Sequence, residues 1–153
     1  MEVLRFEELQ AEFMERVSRA VYGVLATVDG SQRPRQRIMH PIWDGPIGWM
    51  ISRPDSLKAT HLRHNPAVSL AYIQDTERPV YIDGFAEWID TEAEKLRIWE
   101  LHRLTPPPLG FDPQPHYGSI AHPFFGLLRL TPRRIELGSL FSEPRIWRQP
   151  HAQ

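Results

Sequence analysis

Cysteine is absent from this chain of 153 residues. Disulfides, thiolate metal sites and thiol nucleophiles are therefore excluded, and a protein without them is compatible with a reducing compartment. Long apolar runs are also missing, because no stretch comes close to the ~18 consecutive apolar residues that a membrane-spanning helix needs. Residues 1–20 are rich in glutamate and lack the apolar centre of a signal peptide. We therefore expect a cytoplasmic protein that does not contact a membrane.

A large excess of charge of one sign is missing as well. The formal net charge is −1, from 18 basic and 19 acidic residues, which argues against a protein that coats nucleic acid. Only two of the basic residues are lysines, Lys58 and Lys95. With 41% hydrophobic and 24% charged residues, the composition is that of a folded globular protein. The length fits one domain, which we expect to span residues 1–153.

Proline, in contrast, is abundant: the chain has 15, and five of them cluster between positions 105 and 119. Proline removes backbone donors and blocks helices and central strands, so the region 105–123 is predicted to be a loop. A loop of this length in a compact domain is usually functional, interfacial or mobile. A plain crossover stiffened by proline explains the composition equally well.

Hydrophobic periodicity predicts three helices. Apolar residues recur at spacings of three and four from Phe6 to Val21, which predicts an amphipathic helix within residues 1–20. A short helix is predicted to begin near Ser56 and to last until His64, where an Asn-Pro pair stops it. A third helix is predicted to begin after Thr91, with a glutamate three residues later completing a capping box.

The remaining apolar segments predict a β structure. Alternating or apolar runs between turn residues predict strands over 22–28, 34–43, 48–52, 67–74, 79–90, 124–131 and 134–140. Most connections are short, which implies antiparallel pairing. The predicted fold is therefore mainly β, a small antiparallel barrel of six or seven strands with flanking helices and a C-terminal tail over 141–153.

The first candidate site is the segment SRPDSLKATHLRHNP, which begins at Ser52. A strand end, a tight turn and a helix start follow one another here, and a helix N-terminus offers free N–H groups and a partial positive charge to an anion. Ser52, Ser56 and Lys58 add three side-chain donors. An ordinary connector helix is the simpler explanation of this segment taken alone.

The second candidate is the run SQRPRQR, where arginines at 33, 35 and 37 share one face of a strand. The same face continues into Met39 and Trp43, so it passes from guanidinium groups to apolar bulk. Burying an arginine without a partner is expensive, so Arg37 is expected to meet a carboxylate or a phosphate. The alternative is that these arginines guard an exposed edge strand.

Other catalytic patterns are missing from the sequence. The seven histidines form no HExxH motif, which argues against a metal site and favours surface or capping roles for them. No GxSxG elbow, Walker loop or GxGxxG loop is present, and no catalytic residue can be named. Anion donors without a nucleophile favour a cofactor that brings its own chemistry.

The order of these motifs resembles the pyridoxamine 5′-phosphate oxidase-like family of FMN-binding split barrels. The likeness runs from Tyr22 to Leu101 and is carried by GVLATVDGSQRP, QRIMHPIWDG, WMISRPDSLKATHLRHNPAVSLAY and VYIDGFAEWID. It implies a split barrel and a homodimer that binds FMN between two barrels. By position, Arg37 and Lys58 are implied to bind the FMN phosphate, helped by Ser52 and Ser56.

The resemblance also implies the remaining cofactor-binding set. Ile38 and Met39 are implied to lie along the isoalloxazine ring. Arg35 joins the cofactor-binding set because it shares the strand face of Arg37. Two positions depart from the family pattern: Leu57 stands where an arginine is frequent, and Pro79 stands where some members have a glutamine facing the flavin. The C-terminal substrate-binding pattern of the oxidases themselves is not found after residue 134, so the vitamin B6 reaction is not implied.

The function implied is an FMN-dependent oxidoreductase that moves hydride or electrons to or from an unidentified small molecule. Four aromatic residues are candidates for the substrate side, namely His40, Trp43, Trp49 and Trp147. For the three tryptophans, packing in the core or at a dimer interface is the simpler explanation. Two alternatives stay open: a flavin- or haem-binding stress or sensor protein without catalysis, and a reductase that uses a deazaflavin. The acidic tail of a deazaflavin could meet Arg33 and Arg35.

Overall fold

The structure is a computed structural model that describes residues 1–150. Four helices lie in this part of the chain: α1 (Glu7–Ala20), α2 (Leu57–His64), α3 (Glu92–Leu104) and α4 (Gln114–Tyr117). The strands are β1 (Glu2–Val3), β2 (Gly23–Val28), β3 (Pro34–Met39), β4 (Ile42–Asp44), β5 (Ile47–Ser52), β6 (Ala67–Tyr72), β7 (Val80–Ile89), β8 (Gly126–Leu137) and β9 (Arg145–Arg148). None of the helices within residues 1–150 is both long and apolar enough to cross a membrane.

The strands form one mixed sheet that is organised around β8. The sheet order is β1-β9-β8-β7-β6-β2-β3, and β5 pairs with β4 and with the first half of β8. One edge of β8 is therefore shared between β5 and β9, while its other edge follows β7 along its whole length. This arrangement confirms the predicted split β-barrel with flanking helices.

The strand count of six or seven is too low, because the described residues contain nine strands. Two of the additional strands are very short: β1 has two residues and β9 has four, and they pair in parallel with each other. The segment predicted as a C-terminal tail thus contains a strand. The predicted strand over 34–43 is two strands, because β3 ends at Met39 and Pro41 precedes β4.

The strands predicted over 124–131 and 134–140 are one continuous strand, β8. Pro132 lies inside β8, where the pairing with β7 shifts register at Asp83 and Gly84. Proline is tolerated in a sheet at such an irregularity because the ladder is already interrupted there. Gly84 allows β7 and β8 to approach closely at this point, since a Cβ at position 84 would lie 2.3 Å from the Thr131 carbonyl oxygen.

The main core lies between α1 and the sheet, and a smaller apolar cluster, which includes Trp49, packs against α3. Leu9, Phe13 and Val17 form the buried stripe of α1, as the periodicity predicts. The tryptophans considered for the substrate side, Trp43, Trp49 and Trp147, lie in the core, with exposures of 5%, 3% and 7%. Their role is therefore core packing, as the simpler explanation of these tryptophans has it, and not contact with a substrate.

The capping box predicted at Thr91 is not formed, because no side-chain hydrogen bond caps α3 and Glu94 pairs instead with Arg97. The proline-rich region contains the short helix α4 and folds back on the end of α3. The backbone N–H of Phe111 donates to the His102 carbonyl oxygen at 3.1 Å.

Candidate functional site

Three elements converge at the first candidate site: β2, β3 and α2. In the hairpin, Leu25 pairs with Arg37 and Thr27 pairs with Arg35. Among the described residues β3 pairs only with β2, so its other edge is open. Helix α2 begins after Ser56 and packs on β2, which brings the start of the helix to the arginine-bearing strand.

Lys58 is held between two serines. Its Nζ donates to Ser52 Oγ at 2.8 Å and to Ser56 Oγ at 3.1 Å. Ser56 is the N-terminal cap residue of α2, yet its hydroxyl forms no cap hydrogen bond and turns to the lysine instead. An ammonium has three donors, so one N–H of Lys58 is left for another acceptor.

Arg37 is anchored through one end of its guanidinium group. Its Nη1 donates to Thr27 Oγ1 at 2.8 Å, to the Leu25 carbonyl at 3.2 Å and to the Arg35 carbonyl at 3.1 Å. Nε and Nη2 are accessible and have no hydrogen-bond partner within residues 1–150. The guanidinium is therefore fixed in place with one side open to a ligand.

Arg37 and Lys58, which we call the cradle pair, are two half-buried cations with no carboxylate between them. Neither has an acidic group within 4.0 Å in the part of the chain that the structure describes. Burial lowers the pKa of Lys58, and the positive charge of Arg37 lowers it further. Burial also lowers the pKa of Arg37. Two like charges held together in this way form a site that favours an anion.

The start of α2 adds backbone donors to the cradle pair. The N–H groups of Leu57 and Lys58 form no hydrogen bond within residues 1–150. Such free groups at a helix N-terminus carry a partial positive charge. Leu57 and Lys58 line the same cleft as Arg37, so backbone and side-chain donors lie at one site.

The cradle pair opens into a cleft of about 590 Å³, within the range of roughly 300–1,000 Å³ typical of small-molecule sites. The lining residues are Asp29, Arg35, Gln36, Arg37, Ser56, Leu57, Lys58 and His61. Asp29 is the single carboxylate in this lining, and it accepts from Arg33 Nε and Arg35 Nε, both at 3.2 Å. The backbone N–H of Arg33, helped by these arginines, lowers the pKa of Asp29 to about 2.

Two residues that the sequence did not single out support Arg37. Thr27 is fully buried, and its hydroxyl lies 2.8 Å from His61 Nδ1 as well as 2.8 Å from Arg37 Nη1. His61 is 9% exposed, so the prediction that it is a surface or capping residue is wrong. The two side chains connect α2 to β2 and hold the guanidinium in position. The signal missed in the sequence is the polar Thr27 in an otherwise apolar strand.

The other predicted cofactor-binding residues follow along β3. The side chain of Ile38 is 72% exposed, whereas that of Met39 is 8% exposed and belongs to the core. Met39 can therefore meet a ligand only through its backbone. Leu57 is 79% exposed at the mouth of the cleft, where the family frequently has an arginine.

Histidines elsewhere do not assemble a metal centre in the described part of the chain, where no group of three or more potential ligands is found. His102 is buried at 1% exposure, with neither ring nitrogen hydrogen-bonded, which corrects its predicted surface role. His40 is half-buried at the end of β3, and its Nε2 lies 2.7 Å from the Leu109 carbonyl oxygen.

Several solved structures resemble this chain in fold, each with less than 25% sequence identity. A Clostridium acetobutylicum protein related to general stress protein 26 matches with 17% identity and a TM-score of 0.72, covering 93% of this chain and 95% of that one. A NimC/NimA family protein from the same organism matches with 16% identity and a TM-score of 0.73, covering 92% of each chain. A haem-binding protein from Mycobacterium smegmatis matches with 16% identity and a TM-score of 0.66, covering 90% of this chain and 57% of that one.

A search of proteins with curated descriptions gives no significant match. The sequence model of the pyridoxamine 5′-phosphate oxidase family, however, matches residues 9–137, a span that includes both residues of the cradle pair. With that match over most of its length and with the split-barrel fold, the chain belongs to the pyridoxamine 5′-phosphate oxidase family.

Proposed function

We propose that the chain binds FMN with the phosphate in the cradle and acts as an FMN-dependent oxidoreductase on a small molecule. The observation that supports this most is the cradle pair, two half-buried cations without a counter-charge in the described residues. A phosphate dianion would supply that charge and accept the free donors of Arg37, Lys58 and the start of α2.

The available donors are sufficient for a useful affinity. Binding with a micromolar dissociation constant requires about 8 kcal/mol. Each charge-assisted hydrogen bond contributes about 1.5–3 kcal/mol, and the helix N-terminus adds about 0.3–1 kcal/mol. Arg37, Lys58 and one backbone N–H therefore provide a large part of the total, and apolar contact with the exposed Ile38 would supply the rest.

Bound flavin would supply the hydride-transfer chemistry, which no side chain of the site offers. The residues of the chain bind and orient. The cradle pair would fix the phosphate end, and the flavin ring would lie along Ile38 and Met39, the next residues of β3, whose outer edge is unpaired within residues 1–150. We assign no residue to the chemical step itself.

We further propose that two copies of the chain form a homodimer through the outer face of the sheet. A row of apolar side chains crosses four neighbouring strands at matched register: Ile38, Val24, Ala71 and Tyr81. Ile38 is 72% and Tyr81 40% exposed, and Ile73, at 57%, lies beside the row. A contiguous apolar patch of this kind is typical of an interaction surface. Tyr81→Arg is expected to shift the sedimentation coefficient from that of a dimer to that of a monomer.

The direct test of the proposed function is flavin content and uptake. The purified protein, or apoprotein given FMN, is expected to hold one flavin per chain and to release FMN on denaturation. Haem is the appropriate competitor, since a haem-binding protein shares the fold. An apoprotein that takes up haem but not FMN would contradict the proposal.

A deazaflavin is a second candidate cofactor because of Arg35. Its Nε is held by Asp29 at the cleft wall, so the rest of its guanidinium is offered to a ligand that extends beyond the cradle. Deazaflavins with longer acidic tails fit this position. If Arg35→Ala weakens deazaflavin binding while FMN binding is unchanged, the second candidate is favoured.

A further inference from the structure

His40 is an imidazole whose tautomer the fold determines. Its Nε2 lies 2.7 Å from the carbonyl oxygen of Leu109, and a carbonyl only accepts, so Nε2 carries a hydrogen. Burial lowers the pKa of His40, and the hydrogen bond to Leu109 only partly opposes this effect. The neutral ring therefore keeps its lone pair on Nδ1.

The Nδ1 atom of His40 is free to accept a hydrogen bond. It has no partner within residues 1–150, and it is not among the buried unpartnered atoms. His102 differs on this point, because both of its ring nitrogens are buried and unpartnered. Of these two neighbouring histidines, only His40 can offer its lone pair to a ligand.

Two aromatic rings lie beside the His40 imidazole. The ring of Tyr22 lies 5.2 Å from the imidazole between centroids and is 58% exposed. The ring of Phe111 lies 6.2 Å away on the proline-rich segment, inclined by 34° to the imidazole. A planar ligand could pack against these groups with an edge facing Nδ1.

Backbone geometry fixes the two groups beside His40, which are the Tyr22 ring and the Leu109 carbonyl. Val21, just before Tyr22, has φ 65° and ψ −55°, a conformation that β-branched residues rarely adopt. Strained residues of this kind tend to occur at functional sites. On the other side, Gly110 allows the loop to pack tightly, because a Cβ there would lie 1.9 Å from the Thr105 carbonyl oxygen. This packing places the Leu109 carbonyl at His40.

We propose that His40, Tyr22 and Phe111 bind a planar aromatic ligand whose O–H or N–H group donates to His40 Nδ1. The site lies three residues beyond Arg37 along extended chain, roughly 10 Å from the cradle. Identifying this ligand as the substrate rests on the proposed function. The binding site itself does not, because every group in it belongs to this chain.

Two substitutions separate the two nitrogens of His40. In His40→Gln the longer amide can still donate to the Leu109 carbonyl, but the acceptor at the Nδ1 position is lost. In His40→Asn the amide oxygen stands near the Nδ1 position, while the contact with Leu109 is lost. A purely structural role would make the glutamine variant the milder one, and ligand recognition predicts the reverse.

The probe is 4-cyanophenol, with 4-cyanoanisole as the matched compound that lacks a donor. Wild-type apoprotein is expected to bind the phenol about tenfold more tightly than the ether, as one lost hydrogen bond implies. His40→Gln should remove this preference and His40→Asn should retain it. In ¹⁵N-histidine-labelled protein, the phenol should shift the Nδ1 resonance of His40 and leave Nε2 protonated.

Three results would overturn the proposal: equal affinity of wild type for the two compounds, an unchanged preference in His40→Gln, or an Nδ1 that is already protonated. FMN uptake is measured on the same preparations. Phenol selectivity without FMN uptake would retain this site and contradict the proposed cofactor. FMN uptake without phenol selectivity would support the proposed cofactor and contradict this site.

Discussion

Two clusters of basic side chains in this protein have opposite electrostatic arrangements. Around α1, Arg16, Arg78 and Arg145 converge on Glu12 at 2.5, 3.4 and 3.1 Å, and Arg78 also reaches Glu15 at 3.1 Å. We call these three arginines the paired cluster. The cradle pair on β3 and α2 has hydroxyl and carbonyl partners but no carboxylate within residues 1–150.

A buried cation does not by itself indicate a ligand site. Arg16 is also a largely buried cation, with 9% of its side chain exposed, yet Glu12 neutralises it. Burial raises the pKa of Glu12, but hydrogen bonds and charge from Arg16, with help from Arg145 and Arg78, leave it lowered. What distinguishes the cradle pair is the missing counter-charge.

The largest expected effect comes from removing the cradle pair with Arg37→Ala and Lys58→Ala. Two charge-assisted hydrogen bonds to the phosphate are lost, so FMN affinity should fall by about 3–6 kcal/mol. The fold should persist, because no internal ion pair is broken. Flavin fluorescence titration measures the affinity and circular dichroism checks the fold.

The matched control removes two charges from the paired cluster, with Arg78→Ala and Arg145→Ala. FMN affinity should stay at the wild-type value, although stability falls. An equal loss of FMN affinity in both double variants would mean that net charge, and not the cradle, binds the flavin.

The next largest effect is on stability and comes from Glu12→Gln, which removes the carboxylate that the paired cluster shares. Arg16 is then left buried without a counter-charge, and the free energy of unfolding should fall by about 2–3 kcal/mol, less than for a fully buried pair because Glu12 is partly exposed. Since the pKa of Glu12 is lowered in the fold, its contribution is present above the ordinary carboxyl pKa. It is lost as pH falls through the lowered value.

Urea unfolding at several pH values tests this prediction. At neutral pH Glu12→Gln should be less stable than wild type, and the difference should shrink in acid. A stability equal to that of wild type at neutral pH would show that Glu12 is dispensable and that the two clusters do not differ as described.

Leu57→Arg should strengthen the cradle by adding a donor at the cleft mouth. One more charge-assisted contact, reduced by side-chain ordering, should tighten FMN by about 1–2 kcal/mol. Without ligand the variant should be slightly less stable, because a third cation joins two uncompensated ones. Isothermal titration compares it with Leu57→Gln, which adds no charge, and equal FMN affinity in the two variants would contradict the expectation.

The smallest effect is expected from Thr27→Val, which leaves the cradle pair in place but removes the hydroxyl between Arg37 and His61. FMN affinity should fall by about 1 kcal/mol, the typical contribution of one hydrogen bond. Thr27→Ser keeps the hydroxyl and should bind FMN like wild type. If the serine variant binds FMN as weakly as the valine variant, packing of the methyl group, and not the hydrogen bond, supports Arg37.

The sequence predicts the part of the site that is formed by residues close to one another in the chain. Strand, turn and helix start bring Ser52, Ser56 and Lys58 together within seven residues of chain, and period-two spacing puts Arg35 and Arg37 on one face. The Thr27–His61 contact joins residues 34 positions apart, which no local pattern reports. That Arg37 lacks a carboxylate is likewise a property of tertiary packing.

The fold was predictable to a similar degree. Short turns predict the antiparallel barrel, but Pro132 predicts a strand break inside β8, because the register shift that tolerates this proline involves β7 and is not visible in the local sequence. The pairing of β1 with β9 brings opposite ends of the chain together, and strands of two and four residues carry too little periodicity to be recognised.

The most direct test of the central claim is the ratio of FMN affinity to riboflavin affinity, since riboflavin has the same ring and no phosphate. Wild type and the Arg78→Ala, Arg145→Ala control should prefer FMN by about 100-fold or more, as two charge-assisted hydrogen bonds imply. The Arg37→Ala, Lys58→Ala variant should lose most of this preference, because only the backbone donors at the start of α2 remain. If wild type binds riboflavin as tightly as FMN, the cradle pair is not a phosphate site.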